Sequence, residues 1–248
     1  MDIYYLFLLP VIPVLYVLGL KIKAFSTGGA IAAAVIGSLV IIGGGWLYFT
    51  MLFFFLGLSY ISTLAGFERK RKRKIQEGVG GERTARNVLA AGLIPAAVSL
   101  LNLTPLNQDF VLVLYIVTLG TILADTAASE IGSLDDRTYF ILTLKPAETG
   151  INGGISVLGT SVSLVFPLIF SLIGFMIYGI TINISFARLI ELVVASGLIS
   201  FSGCLFDSVL GETLENRGYL DKYSVNFFAS LFSAVVVALI FLSTNYFI

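Results

Sequence analysis

The sequence predicts an all-α bundle of about eight transmembrane helices, from its hydrophobicity, its scarcity of charge and the length of its apolar runs. Of 248 residues, 57% are hydrophobic and only 12% are charged, and the mean hydropathy is +0.97. A soluble domain carries about twice this share of charged residues. Because so few charges cannot cover a water-facing surface, we expect an integral membrane protein that forms one domain over residues 1–248.

Eight apolar runs approach the length of about 20 residues that a helix needs to cross the hydrocarbon core. They cover residues 3–20, 26–42, 46–66, 87–101, 110–129, 154–178, 186–210 and 225–246. The first lacks the basic start and the small-residue cleavage site of a signal peptide, so we interpret it as a helix. The fourth is short and is interrupted by glycine and proline, which favours a re-entrant or half-buried segment.

The basic residues predict how this bundle is oriented. With eight spans, the loops after the first, third, fifth and seventh helices lie on one side, and they contain every Lys and Arg except Arg188. The positive-inside rule assigns that side to the cytoplasm. We therefore predict a multi-pass protein of the cell membrane with both termini outside. Most acidic residues also lie on the basic side, so the functional loops should be cytoplasmic.

The composition limits the chemistry that the chain can perform. There is no histidine and only one cysteine, Cys204, which excludes histidine catalysis, histidine metal ligands and an intramolecular disulfide. A metal site must then use oxygen ligands, which favours Mg²⁺, Mn²⁺ or Ca²⁺. The 15 basic and 15 acidic residues balance, which argues against a protein that binds nucleic acid through net positive charge.

Two acidic motifs at the ends of predicted helices are candidates for a site. Helix five ends in ADTAASEIG and helix seven in FDSVLGE, and both contain the pattern D-[ST]-x-x-[SG]-E. A carboxylate at bilayer depth needs a partner, a metal or water, and these clusters suit a Mg²⁺ that also binds substrate phosphates. The two acids of one motif are about 140° apart on a helix, so they serve one site only if the helix end unwinds. The alternative is a pair of helix ends whose acids meet solvent.

A glycine-rich loop on the same side could bind an anion. The segment TGINGG precedes helix six and contains Thr149, Asn152 and Gly153, with Lys145 shortly before it. Glycines before a helix N-terminus let backbone N–H groups approach an anion, and the helix dipole favours that charge. The order of residues is not that of a Walker A loop, and a plain connector is the alternative interpretation.

The loop between helices three and four has two basic parts. The run at residues 69–74 is interpreted as a topology signal that attracts anionic lipid head groups. Arg83, Arg86 and Asn87 follow at helical spacing, where they could either bind phosphate or anchor helix four at the interface. Near the start of helix eight, Asn226 is an amide that needs a polar partner.

Several segments together resemble a known family. In chain order they are KAFSTGGAIAA, GGERTARNVLAAG, ADTAASEIGS, TGINGGISVLGT and CLFDSVLGETLE. They are similar to the blocks of the integral membrane family that includes plant phytyl-phosphate kinase and metazoan transmembrane protein 19. The resemblance covers nearly the whole chain, although NVLAAG stands where a variant closer to QVLANG is expected. It implies transfer of a phosphoryl group from a nucleoside triphosphate, typically CTP, to an isoprenoid monophosphate.

The resemblance thus implies a Mg²⁺- or Mn²⁺-dependent polyprenyl-phosphate kinase with a phytyl- or geranylgeranyl-type substrate. A phosphate monoester is already ionised at neutral pH, so a site without histidine is sufficient. The catalytic residues would be Asp125, Glu130, Asp207 and Lys145, the first three as metal ligands; Arg83, Arg86, Asn87, Thr149, Asn152, Gly153, Ser208 and Asn226 would bind phosphate or nucleotide. The alternatives are a cation- or proton-coupled transporter, a cytidylyltransferase acting on a lipid phosphate, and a non-catalytic membrane scaffold.

Overall fold

The computed structural model describes residues 10–76, 78, 80–180 and 184–244, and it is an all-α bundle as predicted. The α-helices within these residues are α1 (Val11–Lys21), α2 (Thr27–Leu64), α3 (Phe67–Arg73), α4 (Ala85–Leu100), α5 (Gln108–Gly132), α6 (Val157–Gly179), α7 (Phe186–Leu210) and α8 (Lys222–Thr244). A 3₁₀ turn at Leu101–Leu103 extends α4, and a π-helical turn at Gly211–Glu215 extends α7.

Six helices in the described part of the chain are long and apolar enough to cross a membrane, namely α2, α4 with its 3₁₀ turn, α5, α6, α7 and α8. The predicted fourth run forms a helix that is continuous from Ala85 to Leu100 despite Pro95. Helix α1 lies in the predicted first run, whose residues 3–9 are outside the described residues.

Helix α2 contains two predicted spans because its chain reverses at Gly45. This residue has φ 67° and ψ −152°, a combination that glycine adopts far more readily than other residues. A Cβ on Gly37 would lie 3.6 Å from Phe49 Cε2, whereas a straight helix would separate the two positions by about 18 Å. The two arms, residues 27–44 and 46–64, therefore lie side by side and correspond to the predicted second and third spans.

Helix α5 occupies the centre of the bundle. It packs against α2, α4, α6, α7 and α8, and its residues are buried without interruption from Phe110 to Ala124. A helix that is apolar on all sides is stable only when neighbours surround it. Since α5 carries both acids of the first motif, its central position brings them into contact with several other helices.

Small and hydroxylated residues allow α5, α7 and α8 to approach one another closely. Thr121 on α5 donates a hydrogen bond from Oγ1 to Ser233 Oγ on α8 at 2.8 Å. A Cβ on Gly203 of α7 would lie 2.1 Å from Ser233 Oγ and 2.7 Å from Thr121 Cγ2, so only glycine fits there. Asp125 and Asp207 each follow this contact by one helical turn, which directs both acids to the same place.

The loop between α5 and α6 is more regular than a plain connector, which was the alternative interpretation of its sequence. It forms a three-stranded antiparallel sheet from β1 (Thr138–Phe140), β2 (Pro146–Ala147) and β3 (Gly154–Ile155), in the order β2-β1-β3. Tyr139 pairs with Pro146 on one side and with Ile155 on the other. The sheet covers the end of the bundle where α5 ends and α6 begins. We call this end, which also carries α3, the basic side.

Candidate functional site

A cavity of about 370 Å³ lies on the basic side, where α5 and α7 end and α6 and α8 begin. We call it the polar cavity. Eight of the predicted site residues line it: Asp125, Glu130, Thr149, Asn152, Gly153, Asp207, Ser208 and Asn226. These residues come from three helices and one loop, so the cavity assembles side chains that are distant in the sequence.

Two carboxyl groups meet in the polar cavity. Asp125 and Asp207 are in side-chain hydrogen-bonding contact, and Asn226, with its amide turned to satisfy its neighbours, donates to Asp207 Oδ2 at 3.1 Å and to the Lys222 carbonyl at 3.2 Å. The Lys222 ammonium attracts both Asp207 and Glu215. Like-charged carboxylates this close need a shared proton or a cation between them, so the pair is a candidate site for either one.

The Asp125–Asp207 pair suits Mg²⁺ better than a cation held by protein alone. In the part of the chain that is described, no group of three or more acidic or thiol side chains is arranged to hold a metal ion. Mg²⁺ commonly uses one or two carboxylates and completes its shell with water and substrate phosphates. The π-helical turn at Gly211–Glu215 follows Asp207, and such turns are frequent at functional sites. This turn changes the helix after Gly211 but does not bring Glu212 into the lining of the cavity.

Glu130 does not join the two aspartates, because α5 stays helical as far as Gly132. Its Oε2 instead accepts a hydrogen bond from Lys70 Nζ at 2.6 Å, and the two side chains are 8% and 1% exposed. Lys70 also donates to the Thr63 carbonyl at 2.7 Å. The predicted grouping of Glu130 with Asp125 and Asp207 is thus absent from this structure, and Glu130 forms a buried ion pair at the edge of the cavity.

Lys70 is the residue that the sequence interpretation missed. It was treated as one member of a basic run, yet its neighbours in α3 are exposed while it is buried. Arg69 and Arg73 of the same helix pair with Asp136 in the α5–α6 loop, which fixes how α3 is turned. A run of consecutive basic residues has no internal signal that identifies the one that faces inward.

Arg83 completes the cluster around Glu130. Its Nη2 donates to Glu130 Oε1 at 3.1 Å and to Thr63 Oγ1 at 2.9 Å. Its backbone carbonyl also accepts from Ser26 N at 3.1 Å, so both ends of α2 meet at this residue. Arg83 therefore joins the ends of both arms of α2 to α5, and its guanidinium lies at the margin of the site.

The glycine-rich loop is held against the end of α7. Glu212, the second acid of the α7 motif, accepts a hydrogen bond from Leu142 N at 2.7 Å, and Asn216 donates to the Asn152 carbonyl at 2.9 Å. Gly153 has φ 73°, and a Cβ there would lie 2.4 Å from Glu212 N. Glycine is required at this position because both its conformation and its close contact exclude a side chain.

The first turn of α6 faces the polar cavity. Ser156 caps this helix by accepting from Gly159 N at 3.0 Å, and it donates to the Gly132 carbonyl at 3.2 Å. Ser156, Gly159 and Thr160 line the cavity together with the preceding loop. Leu158 N, Gly159 N and Thr160 N of this turn already have partners, namely Asp135 Oδ2, Ser156 Oγ and the Ser156 carbonyl. The turn therefore contributes to the cavity mainly the positive end of its helix dipole.

The remaining predicted residues are not all at the cavity. Asn87 forms a capping box with Thr84 at the start of α4. Arg86 is exposed and its guanidinium lies 5.8 Å from the centre of the Tyr223 ring. Lys145 lies in the exposed turn between β1 and β2. By contrast Lys74, which had been assigned to the topology signal, lines the polar cavity beside the loop.

An apolar crevice of about 90 Å³ adjoins the polar cavity, between the arms of α2, α4, α5 and α8. Asp125, Ser129, Lys222 and Asn226 line both spaces, so the two adjoin at these side chains. Arg83 and Asn87 line the crevice and not the polar cavity. Two adjoining spaces of such different polarity suit a ligand that has an ionic head and an apolar chain.

Comparison with known proteins identifies the family. A model of the integral membrane protein family DUF92 matches residues 10–242. An uncharacterized membrane protein of Methanocaldococcus jannaschii is 27% identical over 222 residues, which is 89% of this chain and 87% of its own length. Another, of Synechocystis, is 33% identical over 190 residues, which is 75% of this chain and 70% of its own.

The Arabidopsis thaliana protein named Protein PGR is 27% identical over 217 residues, covering 80% of this chain and 75% of its own length. No solved structure matches the chain. The family model covers almost all of the described residues, including every element that forms the polar cavity. The chain therefore belongs to the integral membrane protein family DUF92.

Proposed function

We propose that this protein is a membrane-embedded kinase that transfers the terminal phosphoryl group of a nucleoside triphosphate to an isoprenoid monophosphate. The observation that carries the proposal is that the polar cavity and the apolar crevice share Asp125 and Asn226 in their walls. A water-soluble substrate would have no use for the crevice. By the positive-inside rule, the polar cavity would open to the cytoplasm, where nucleotides are available.

The proposed reaction needs positioning and neutralisation of charge more than it needs a base. An oxygen of the acceptor phosphate attacks the terminal phosphorus, the bond to the bridging oxygen breaks, and the nucleoside diphosphate leaves. The second pKa of a phosphate monoester is about 6, so the acceptor is already largely a dianion at neutral pH. Phosphoryl transfer depends mainly on alignment and electrostatic stabilisation, and a site without histidine can supply both.

The residues of the polar cavity have distinct tasks under this proposal. Asp125 and Asp207 would hold Mg²⁺, which neutralises phosphate charge when it is bound. The dipole at the N-terminus of α6 would favour the negative charge of the phosphates, and Lys74 and Lys222 would add positive charge. Glu130 would act indirectly, because it fixes Lys70 and Arg83 at the edge of the site. Thr149, Asn152 and Gly153 would shape the wall on which the nucleotide rests.

The test is a transfer assay on the purified protein in detergent or liposomes. It would use CTP or ATP labelled on the terminal phosphate, geranylgeranyl or phytyl phosphate as acceptor, and buffers with and without Mg²⁺. CTP comes first because of the resemblance described above. We expect a labelled prenyl diphosphate that requires Mg²⁺. Absence of that product with every nucleotide and acceptor pair would refute the proposal, and release of pyrophosphate would identify a cytidylyltransferase instead.

Substitution of the two aspartates tests their role. Asp125→Asn and Asp207→Asn should each lower the transfer rate about 100-fold or more, because each removes a carboxylate that would hold Mg²⁺, whose charge stabilises the transferring group. Glu148→Gln is the control, since Glu148 is an exposed acid of the same side that does not line the polar cavity. Equal rates for the control and the two site variants would contradict the assigned metal site.

A further inference from the structure

The turn between β1 and β2, residues 141–145, presents large apolar side chains to its surroundings, and we call it the hairpin tip. Its residues Leu142 and Leu144 are 54% and 66% exposed. Tyr139 of β1 and Tyr219, between α7 and α8, are exposed at the same end of the bundle. Exposed apolar residues within the spanning helices are expected to face lipid, but these four lie in the segments that connect those helices. In the described part of the chain their side chains stay largely uncovered, so an apolar partner would stabilise them.

The backbone of Leu144 is unusual for this type of residue. It has φ 52°, in the left-handed region that glycine and asparagine adopt more readily than leucine. If the hairpin tip faced water, glycine or asparagine would fit this conformation better, and the leucine side chain would gain nothing. A leucine is favourable there only if its side chain is buried in an apolar environment. Backbone and side chain together therefore argue against a tip that faces water.

A hydrogen bond fixes the depth of the hairpin tip relative to the bilayer. Leu142 N donates to Glu212 Oε2 at 2.7 Å, and Glu212 directly follows the last turn of α7. Arg188 lies near the other end of α7, and the helical rise separates the two residues by about 36 Å along the axis. The hydrocarbon core is about 30 Å thick, so this spacing places one charged residue in each headgroup layer. The hairpin tip is thus held at the surface of the basic-side leaflet.

We propose that the hairpin tip inserts Leu142 and Leu144 into the boundary between the head groups and the acyl chains of the basic-side leaflet. Lys145 follows Leu144 and is exposed, which lets its ammonium meet lipid phosphates. Tyr139 and Tyr219 suit the same layer, because tyrosine rings are amphipathic and are enriched at membrane interfaces. The insertion fixes the depth of the loop whose later residues line the polar cavity. It holds whatever reaction the cavity performs.

Replacement of Leu144 by Asn distinguishes insertion from exposure to water by the sign of its effect. Asn fits the left-handed backbone better than Leu, so the change should stabilise a tip that faces water. In an inserted tip it removes an apolar side chain from the bilayer, and we expect the Tm in liposomes to fall by a few degrees. Lys23→Asn is the matched control, since Lys23 is exposed and polar at φ 56°, and its Tm should stay or rise. An unchanged or higher Tm for Leu144→Asn would overturn the proposal.

A nitroxide label at position 144 measures the surroundings of the hairpin tip directly. The label would be attached to Leu144→Cys in the full-length protein in liposomes, with labelled wild type as the blank because Cys204 is buried. We expect oxygen, which partitions into the bilayer, to relax the label more than a water-soluble nickel chelate does. Glu148→Cys, at an exposed position beside β2, should show the reverse.

Two outcomes of the labelling experiment would overturn the proposal. One is access of the nickel chelate to position 144 equal to its access to position 148, which would show that the hairpin tip faces water. The other is protection from both reagents that disappears when the protein is diluted in lipid, which would identify a second copy of the chain as the partner.

Discussion

Replacement of Lys70 by Met is the sharpest test of how the site is held together. The ammonium of Lys70 contacts Glu130 Oε2 at 2.6 Å and the Thr63 carbonyl at 2.7 Å, and the side chain is 1% exposed. Met keeps much of the volume and removes the charge. Breaking a buried ion pair by removing one partner costs about 3–5 kcal/mol. Arg83 still neutralises the other oxygen of Glu130, so we expect the free energy of unfolding to fall by about 3 kcal/mol, at the lower end of that range.

The measurement is reversible unfolding of the purified protein in mixed micelles, with Lys72→Met as the control on the exposed surface of the same helix. The control should change stability by no more than about 0.5 kcal/mol. A double-mutant cycle with Glu130→Gln should give a coupling energy of about 2 kcal/mol, since the two charges interact directly. A Lys70→Met variant as stable as Lys72→Met, or a coupling energy near zero, would refute the buried ion pair.

Two further predictions concern the loop between α5 and α6. Gly153→Ala should lower the free energy of unfolding by about 3 kcal/mol, because it combines a left-handed backbone with a collision at Glu212 N. Gly218→Ala is the control, since Gly218 has φ 76° but lies in open space, and it should lower the free energy of unfolding by about 1 kcal/mol in the same assay. Equal losses for the two variants would contradict the contact between the loop and α7. Asp136 has a lowered pKa because of its hydrogen bond with Arg73. Its contribution to stability is present above the ordinary carboxyl pKa of about 3.9 and is lost as the pH falls through the lowered value. Wild type and Asp136→Asn should therefore differ in thermal stability at pH 6 and converge in acid; a constant difference would refute the ion pair.

The acidic motifs show how much of the candidate site could be predicted from the sequence. The repeated pattern predicted that α5 and α7 carry equivalent acids, and Asp125 and Asp207 do meet. The second acids take other roles, Glu130 with Lys70 and Glu212 with Leu142 N. The angle of about 140° between the acids of one motif already indicated this division. Which partner each second acid would find could not be predicted, because those partners come from distant segments.

The predicted phosphate ligands separate for a similar reason. The predicted helical spacing holds only for Arg86 and Asn87, because α4 begins at Ala85 and Arg83 precedes its N-cap, Thr84. The three side chains point in different directions. Arg83 turns towards Glu130, Asn87 caps its own helix, and Arg86 lies over Tyr223. The direction of each side chain depends on how α4 packs against α5 and α8, which spacing along the sequence does not specify.

The sequence by itself determined the class of protein and the apolar helices after residue 26 that are long enough to cross the bilayer. Hydrocarbon cannot hydrogen-bond to a backbone, so apolar runs of about 20 residues must be helical wherever they cross it. The tertiary structure alone decided that α2 folds back at Gly45, that Lys70 is buried, and that an apolar crevice meets the polar cavity at Asp125. These features depend on contacts between segments that are far apart in the chain, and such contacts leave no periodic signal in any one segment.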